Sequence, residues 1–492
     1  MPNAAVWADE ASALEENEMS DDAGRPGSPV VEGPMPGKAA TQFAPYDLSE
    51  LGYVEEEYFV SGEAQAYALL GEERRDGQWS LTRADRSEYR TRFVVRRPVD
   101  PSRFNGTLIV EWFNVTGGTD VEPDWALMHR HIMREGFAWV GASVQKAGID
   151  GGGVMEGQNH LKALAPDRYG TMNHPGDAYS YDMFSQIGRI LRDEGEGGPL
   201  GPLAPARLIA CGHSQSAAFL VTYLNAVDPI AAVYDGFLVH GRGATGSKLD
   251  GFRLPSRPTG GNRPAVAPML IREDVRVPVL VLQSETDVCV LGSGQARQPD
   301  NDRIRLWEVA GSAHAETYLL VACRADTGAL APEELAAMLD PTAGLANFPT
   351  ASPVASGPQQ HYVGHAALAG LDRWVRDGTP PPEAARLEST DGGASLVVGP
   401  HGIAVGGIRT PWVDVPVATL SGLQEGGGEG MTFLFGSTKP FSSADLAKLY
   451  PGGVAFFLAR FGESLDAAVE RGFLLEADTA EIRALAAASF PG

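Results

Sequence analysis

Short apolar runs alternate with amphipathic stretches along most of this chain. Tyr53–Val60 and Glu88–Arg97 (EYRTRFVVRR) are rich in aromatic and β-branched residues, and the second closes at Arg97-Pro98, so two early strands are predicted. Leu108–Trp112 follows an Asn105-Gly106 turn as a short apolar run, Trp125–Glu135 has helical spacing, and Phe137–Val144 (FAWVGASV) is again strand-like. Further on, helices are predicted over Tyr181–Arg192 and Ser216–Val227. Strands are predicted over Leu208–Cys211, Tyr234–Val239, Val277–Gln283 and Ile304–Val309. Continuous apolar strands separated by helices give an α/β fold: a mostly parallel sheet with helices on both faces.

The remaining segments break this rhythm. Residues 1–40 hold eight acidic and two basic residues with scattered Pro and Gly, and read as a disordered acidic tail, dispensable to the rest. A catalytic domain is expected over 41–390, with an irregular Gly-, Pro- and Arg-rich insertion near 241–276 lying over the C-terminal edge of the sheet. His361–Arg376 is an amphipathic helix stopped by Gly378 and a triple proline. Beyond it, 391–492 reads as a C-terminal module. A hairpin is expected around His401-Gly402, then helices over Ser443–Tyr450, Val454–Arg460 and Ser464–Arg471, the whole packed on the catalytic domain.

Charge narrows the partners. A net charge of −24 repels nucleic acid and anionic lipid surfaces, so neither nucleic acid nor membrane is an expected partner, and no apolar run is long enough to span a bilayer. No signal peptide is visible, which favours a cytoplasmic location with export left open. Cys211, Cys289 and Cys323 lack C-x-x-C spacing, so buried thiols are expected, with a Cys289–Cys323 bridge as the alternative. Oligomeric state is not legible.

Chemistry concentrates at three strand ends. Leu208–Ala217 (LIACGHSQSA) carries an apolar strand through G-x-S-x-S directly into a helix, the context of a nucleophile elbow, whose strained serine needs small neighbours two residues to either side. Gly212 and Ser216 supply them, making Ser214 the candidate nucleophile. Val279–Leu282 runs into Gln283-Ser284-Glu285-Thr286-Asp287, and Ile304–Ala310 into Gly311-Ser312-Ala313-His314, giving a base and two competing acids in the chain order such sheets use. Asp287, deeper in its loop, is the expected orienting acid and Glu285 the alternative. For the oxyanion, the backbone N–H of Gln215 is expected as one donor, and Asn114 or Val115, in the Gly-rich loop after Trp112, as the other. His213 and Trp412 are expected to line the substrate pocket. The other histidines (His129, His131, His160, His174, His240, His361, His365 and His401) form no metal-ligand motif and read as solvated or locally packed, so no metal and no cofactor are expected.

The segments VEWFNVTGG (Val110–Gly118), DAYSYDMFSQ (Asp177–Gln186), CGHSQSA, QSETDV, RLWEVAGSAHAETY, LDRWVRDGTPPP and GGIRTPWVDVP resemble the α/β-hydrolase domain family of large bacterial serine hydrolases called Abhydrolase 10. The resemblance runs from about Tyr53 to Phe490 and implies an α/β-hydrolase fold and ester hydrolysis by Ser214, His314 and Asp287 on a small-molecule ester. Alternatives are hydrolysis of a lactone or of a C–C bond on the same fold, or a non-catalytic binding protein on a hydrolase scaffold.

Overall fold

The computed structural model describes residues 28–152, 159–193, 197–251, 267–340, 353–355, 357–424 and 430–491. One sheet organises them: β1 (Val30–Glu32), β2 (Tyr53–Leu69), β3 (Leu81–Pro98), β4 (Thr107–Trp112), β5 (Ala138–Ala142), β6 (Arg207–His213), β7 (Gly236–His240), β8 (Val279–Ser284) and β9 (Ile304–Val309), in the order β1-β2-β3-β5-β4-β6-β7-β8-β9. From β5 to β9 neighbouring strands run parallel, while β1, β2 and β3 pair antiparallel at one side. Strands β2 and β3 run well past the predicted lengths as one long hairpin, because the polar residues near its tip need no apolar face to stay paired.

Period-two alternation supplies an apolar surface on each side of the parallel strands. Leu108, Val110 and Trp112 of β4 enter one core with Phe184 of α2 (Ser180–Asp193) and Phe219 of α3 (Gln215–Thr222). Ile109 enters the other with Trp125 of α1 (Pro123–Arg134), Leu335 of α4 (Pro332–Leu339) and Tyr362 of α5 (Gln359–Asp377). Glu111, fully buried in β4, fixes α1 by accepting hydrogen bonds from the N–H groups of Asp124 and Trp125, both at 2.9 Å, and from Trp139 Nε1 at 3.0 Å. The free N–H groups of a helix start are the natural partners of such a buried carboxylate.

The expected acidic tail of residues 1–40 is described only in part. Residues 1–27 lie outside the described residues, but 28–40 are docked: Val30–Glu32 pairs with Phe59–Ser61, and Met35 N donates to Glu57 O at 2.7 Å. Arg92, fully buried, donates to Ala40 O at 2.8 Å besides its ion pairs with Glu57 and Asp120, and Arg168 donates to Pro36 O. Composition misled here because backbone pairing and arginine side chains hold the segment, with Val31, Met35 and Ala40 packing against neighbouring apolar clusters. A chain starting at Thr41 is therefore expected to melt below one starting at Ser28. Loss of the Ala40 carbonyl alone leaves a buried guanidinium N–H unpaired, at a cost of about 1–3 kcal/mol; equal melting temperatures would show the docking to be inconsequential.

Residues 252–266 of the expected insertion lie outside the described residues; its start covers α3, with Ser247 N donating to Ala218 O at 2.9 Å and Thr222 Oγ1 to Ser247 O at 2.6 Å. In the C-terminal segment Ile408 extends the sheet by bridging Val309 in parallel, and the expected turn is present, with Val398 bridged to Ala404. Helices α6 (Ser443–Leu449), α7 (Gly453–Glu470) and α8 (Thr479–Ser489) follow. The two helices predicted on either side of residues 461–463 are a single α7. Gly462 lies inside it and faces α8: a Cβ there would lie 2.3 Å from Arg483 Nη1. Among the described residues no helix is long and apolar enough to cross a membrane.

Candidate active site

Ser214 sits between β6 and α3 with φ 65° and ψ −116°, a conformation that glycine tolerates and other residues adopt only under constraint. Its N–H donates to His240 O at 2.9 Å, so β7 helps hold the turn. The small residues around it are needed. A Cβ on Gly212 would lie 3.0 Å from Ser216 Cβ and 3.1 Å from Leu220 Cδ1.

The loop after β4 lies against this turn: Asn114 Nδ2 donates to His213 O at 3.0 Å, and Thr116 Oγ1 to Gln215 Oε1 at 3.3 Å. Asn114 must be withdrawn as an oxyanion donor, because its N–H is spent on Val121 O at 2.9 Å within a two-residue bridge. Its Oδ1 also occupies the N–H of Thr116. The N–H groups of Val115 and Gln215 donate to nothing among the described residues.

The two carboxylates after β8 have separate partners. Asp287 Oδ1 lies 2.5 Å from His314 Nδ1, while its Oδ2 accepts from Ser284 N at 2.6 Å and Ser284 Oγ at 2.8 Å, which fixes the carboxylate plane. Glu285 does not reach His314. Its Oε1 accepts from Gly311 N at 2.5 Å and its Oε2 from Gly422 N at 2.7 Å, so it ties the His314 loop to the C-terminal segment. Thr286 Oγ1 completes the seam, donating to Gly422 O at 2.5 Å and accepting from His314 N at 3.1 Å.

Burial pushes the Glu285 carboxyl up to about 7, opposed by these N–H donors. The folded protein thus holds the Glu285 proton more tightly than the unfolded chain, a contribution fully present below the usual carboxylate range and lost as pH rises through about 7. Glu285→Gln replaces one of the two acceptor oxygens by an NH2 group that faces an N–H donor. We expect a loss of about 1–3 kcal/mol with kcat within a few-fold of wild type, and a stability gap that narrows from pH 5 to pH 8. Chemical denaturation at several pH values checks this; abolished turnover in the folded variant would return Glu285 to the acid role.

His213 lies within the site, its ring centroid 4.5 Å from those of both His314 and His240. Trp412 is a correction: its indole stacks on Tyr362 at 5.7 Å and meets Phe461 edge-on at 5.5 Å, so it is taken up in packing α7 on α5, and neither His213 nor His314 is among its ring contacts. Sequence reasoning missed His240, Gln360 and Glu316. His240 is fully buried, with Nδ1 2.8 Å from Asp124 Oδ1 and Nε2 2.9 Å from Gln360 Oε1. Gln360 also donates to Ala313 O, and Glu316, pushed well above the usual carboxylate range by burial, accepts from Gln360 N at 3.1 Å. The available signal was position: an apolar strand ending in His240 beside the strand that ends in His213.

Of the histidines read as solvated or locally packed, His131 on α1 stacks on His365 of α5, which meets His361 edge-on, yet among the described residues no His, Cys, Asp or Glu group could hold a metal ion. Cys323 is a buried thiol that donates to Leu319 O at 3.1 Å and is not bridged to Cys289.

No curated protein matches the chain. Among solved structures it is similar to an esterase from the fungus Rhizomucor miehei (9% identity, 52% of this chain and 77% of that one, TM-score 0.28). It is also similar to a thermostable esterase from Pseudomonas putida (13%, 49% and 66%, TM-score 0.26). A serine hydrolase without a lid from Xanthomonas campestris is a third (12%, 50% and 83%, TM-score 0.25). The α/β-hydrolase domain family Abhydrolase 10 matches residues 27–484, nearly the whole chain, and this protein belongs to it.

Proposed function

We propose that this α/β hydrolase cleaves carboxylic esters by acyl transfer through Ser214 to water. The observation that carries the reading is the strained backbone of Ser214 at a strand-to-helix turn, a conformation with no structural use unless the hydroxyl is to be presented. The Asp287–His314 hydrogen bond supplies the rest: a carboxylate on Nδ1 leaves Nε2 as the proton acceptor. Ser214 Oγ attacks the ester carbonyl carbon while His314 Nε2 takes the hydroxyl proton, then returns it to the leaving alcohol. The resulting acyl-enzyme is cleaved by water in a second round of the same proton transfers.

Charge develops on the carbonyl oxygen, where the unpaired N–H groups of Gln215 and Val115 can stabilise it. Loss of one such donor typically costs about 10²–10³ in kcat. A panel of p-nitrophenyl esters of increasing acyl length tests the proposal. We expect turnover with an optimum in chain length; folded protein inert to every ester and lactone tried would leave the C–C bond hydrolase and binding-protein readings.

A further inference from the structure

Resting on that reading, we infer that His213 is a positioning residue whose ring walls the face of His314 and holds it, dry and correctly turned, between Asp287 and Ser214. Asp287 restrains only one atom of the imidazole, and a ring hydrogen-bonded at Nδ1 alone can still swing about that bond. The His213 ring lies against it at 4.5 Å between centroids, inclined 35°. His213 is itself braced, because His240 meets it edge-on at 4.5 Å and is pinned at both nitrogens by Asp124 and Gln360. Gln360 reaches onward to Ala313 O, the residue before His314, so one side chain registers the brace against the loop it serves.

Space for this stack is provided by Gly241, whose φ of 63° suits glycine. A Cβ there would lie 3.1 Å from both His213 Nε2 and His314 Cε1. Burial first, and then the neighbouring His314 and His240, hold His213 well below the ordinary histidine range, so it stands beside His314 as a neutral ring. Its Nε2 has no hydrogen-bond partner among the described residues, and a polar contact with the His314 backbone helps seat the ring against that loop. The groups facing it are few: His314 from the loop after β9, His240 from β7, and through them Asp287 and Asp124. Cys211 on its own strand is a thiol pushed well up by burial.

Removing the ring should let water reach His314 and free the imidazole to turn. For His213→Ala we expect kcat to fall at least about tenfold with KM within about twofold. His213→Phe, which keeps a ring at this position, should recover most of kcat. Where His213→Ala does not fold, His213→Leu against His213→Phe carries the same comparison, bulk without a ring against a ring. A wild-type kcat in His213→Ala, or equal impairment of the Phe and the Ala or Leu variants, would overturn the inference. Ser214→Ala measured alongside separates the two claims: turnover there sinks acyl transfer itself, whereas an inactive Ser214→Ala with an unaltered kcat in His213→Ala sinks only the positioning role.

Discussion

Ser214→Ala and His314→Ala are each expected to lower kcat by about 10⁴–10⁶-fold, and the double variant by no more than either alone, because nucleophile and base act as one unit. Stability should be nearly untouched in Ser214→Ala, since alanine inherits the strained backbone and no hydrogen bond holds the serine hydroxyl among the described residues. Ser214→Gly sharpens the point. At φ 65° and ψ −116° glycine is unstrained, so this variant should be inactive yet more stable than wild type by about 1–3 kcal/mol. Denaturant titration and ester kinetics on the same three preparations check both statements; a less stable Ser214→Gly would show that the strain is not there to be released.

The second large effect concerns the C-terminal segment. Deleting residues 391–492 is expected to give insoluble or inactive protein, because that segment finishes the His314 loop instead of hanging from the domain. Ile408 N donates to Glu308 O at 2.6 Å, Ala310 N to Ile408 O at 3.0 Å and Ala315 N to Leu434 O at 3.0 Å. Gly436 closes against Ala313 so tightly that a Cβ would lie 2.6 Å from its methyl. Deletion would also leave Glu285 buried without its Gly422 donor, and would uncover Trp307 and Tyr362, against which Phe473 and Trp412 pack. Expression of the truncated chain with circular dichroism and an esterase assay tests this. A soluble, active product would make the segment an appendage. Trp412→Ala is expected to lower stability, because its ring packs on Tyr362 and Phe461.

What could be read from the sequence follows from where the physics is local. The order of strands and helices is legible because buried parallel strands carry continuous apolar runs, as β4, β6 and β8 do over Leu108–Val110, Leu208–Cys211 and Val279–Leu282. The Ser214 turn is legible because sterics dictate the small residues around it. The approach of Asp287 to His314 follows from both lying just beyond strand ends on one edge of the sheet.

Illegible features depend on distant partners. Asn114 and Val115 are equivalent donors in sequence, and only the Asn114–Val121 bridge separates them. Glu285 and Asp287 compete on paper until Gly311 and Gly422, far apart in the chain, claim Glu285. His240 looks like any strand-end histidine until Asp124 and Gln360 arrive from two helices. Composition marks residues 28–40 as a tail, yet buried arginines hold their carbonyls.

The central claim is that Ser214 is a nucleophile activated by His314. Incubation of the folded protein with a fluorophosphonate, followed by peptide mass mapping, tests it most directly. The account predicts a single adduct on Ser214, absent in Ser214→Ala and formed far more slowly in His314→Ala and Asp287→Asn, with Glu285→Gln labelling at close to the wild-type rate. No adduct on folded wild-type protein, or an adduct on another residue that persists in Ser214→Ala, would contradict it.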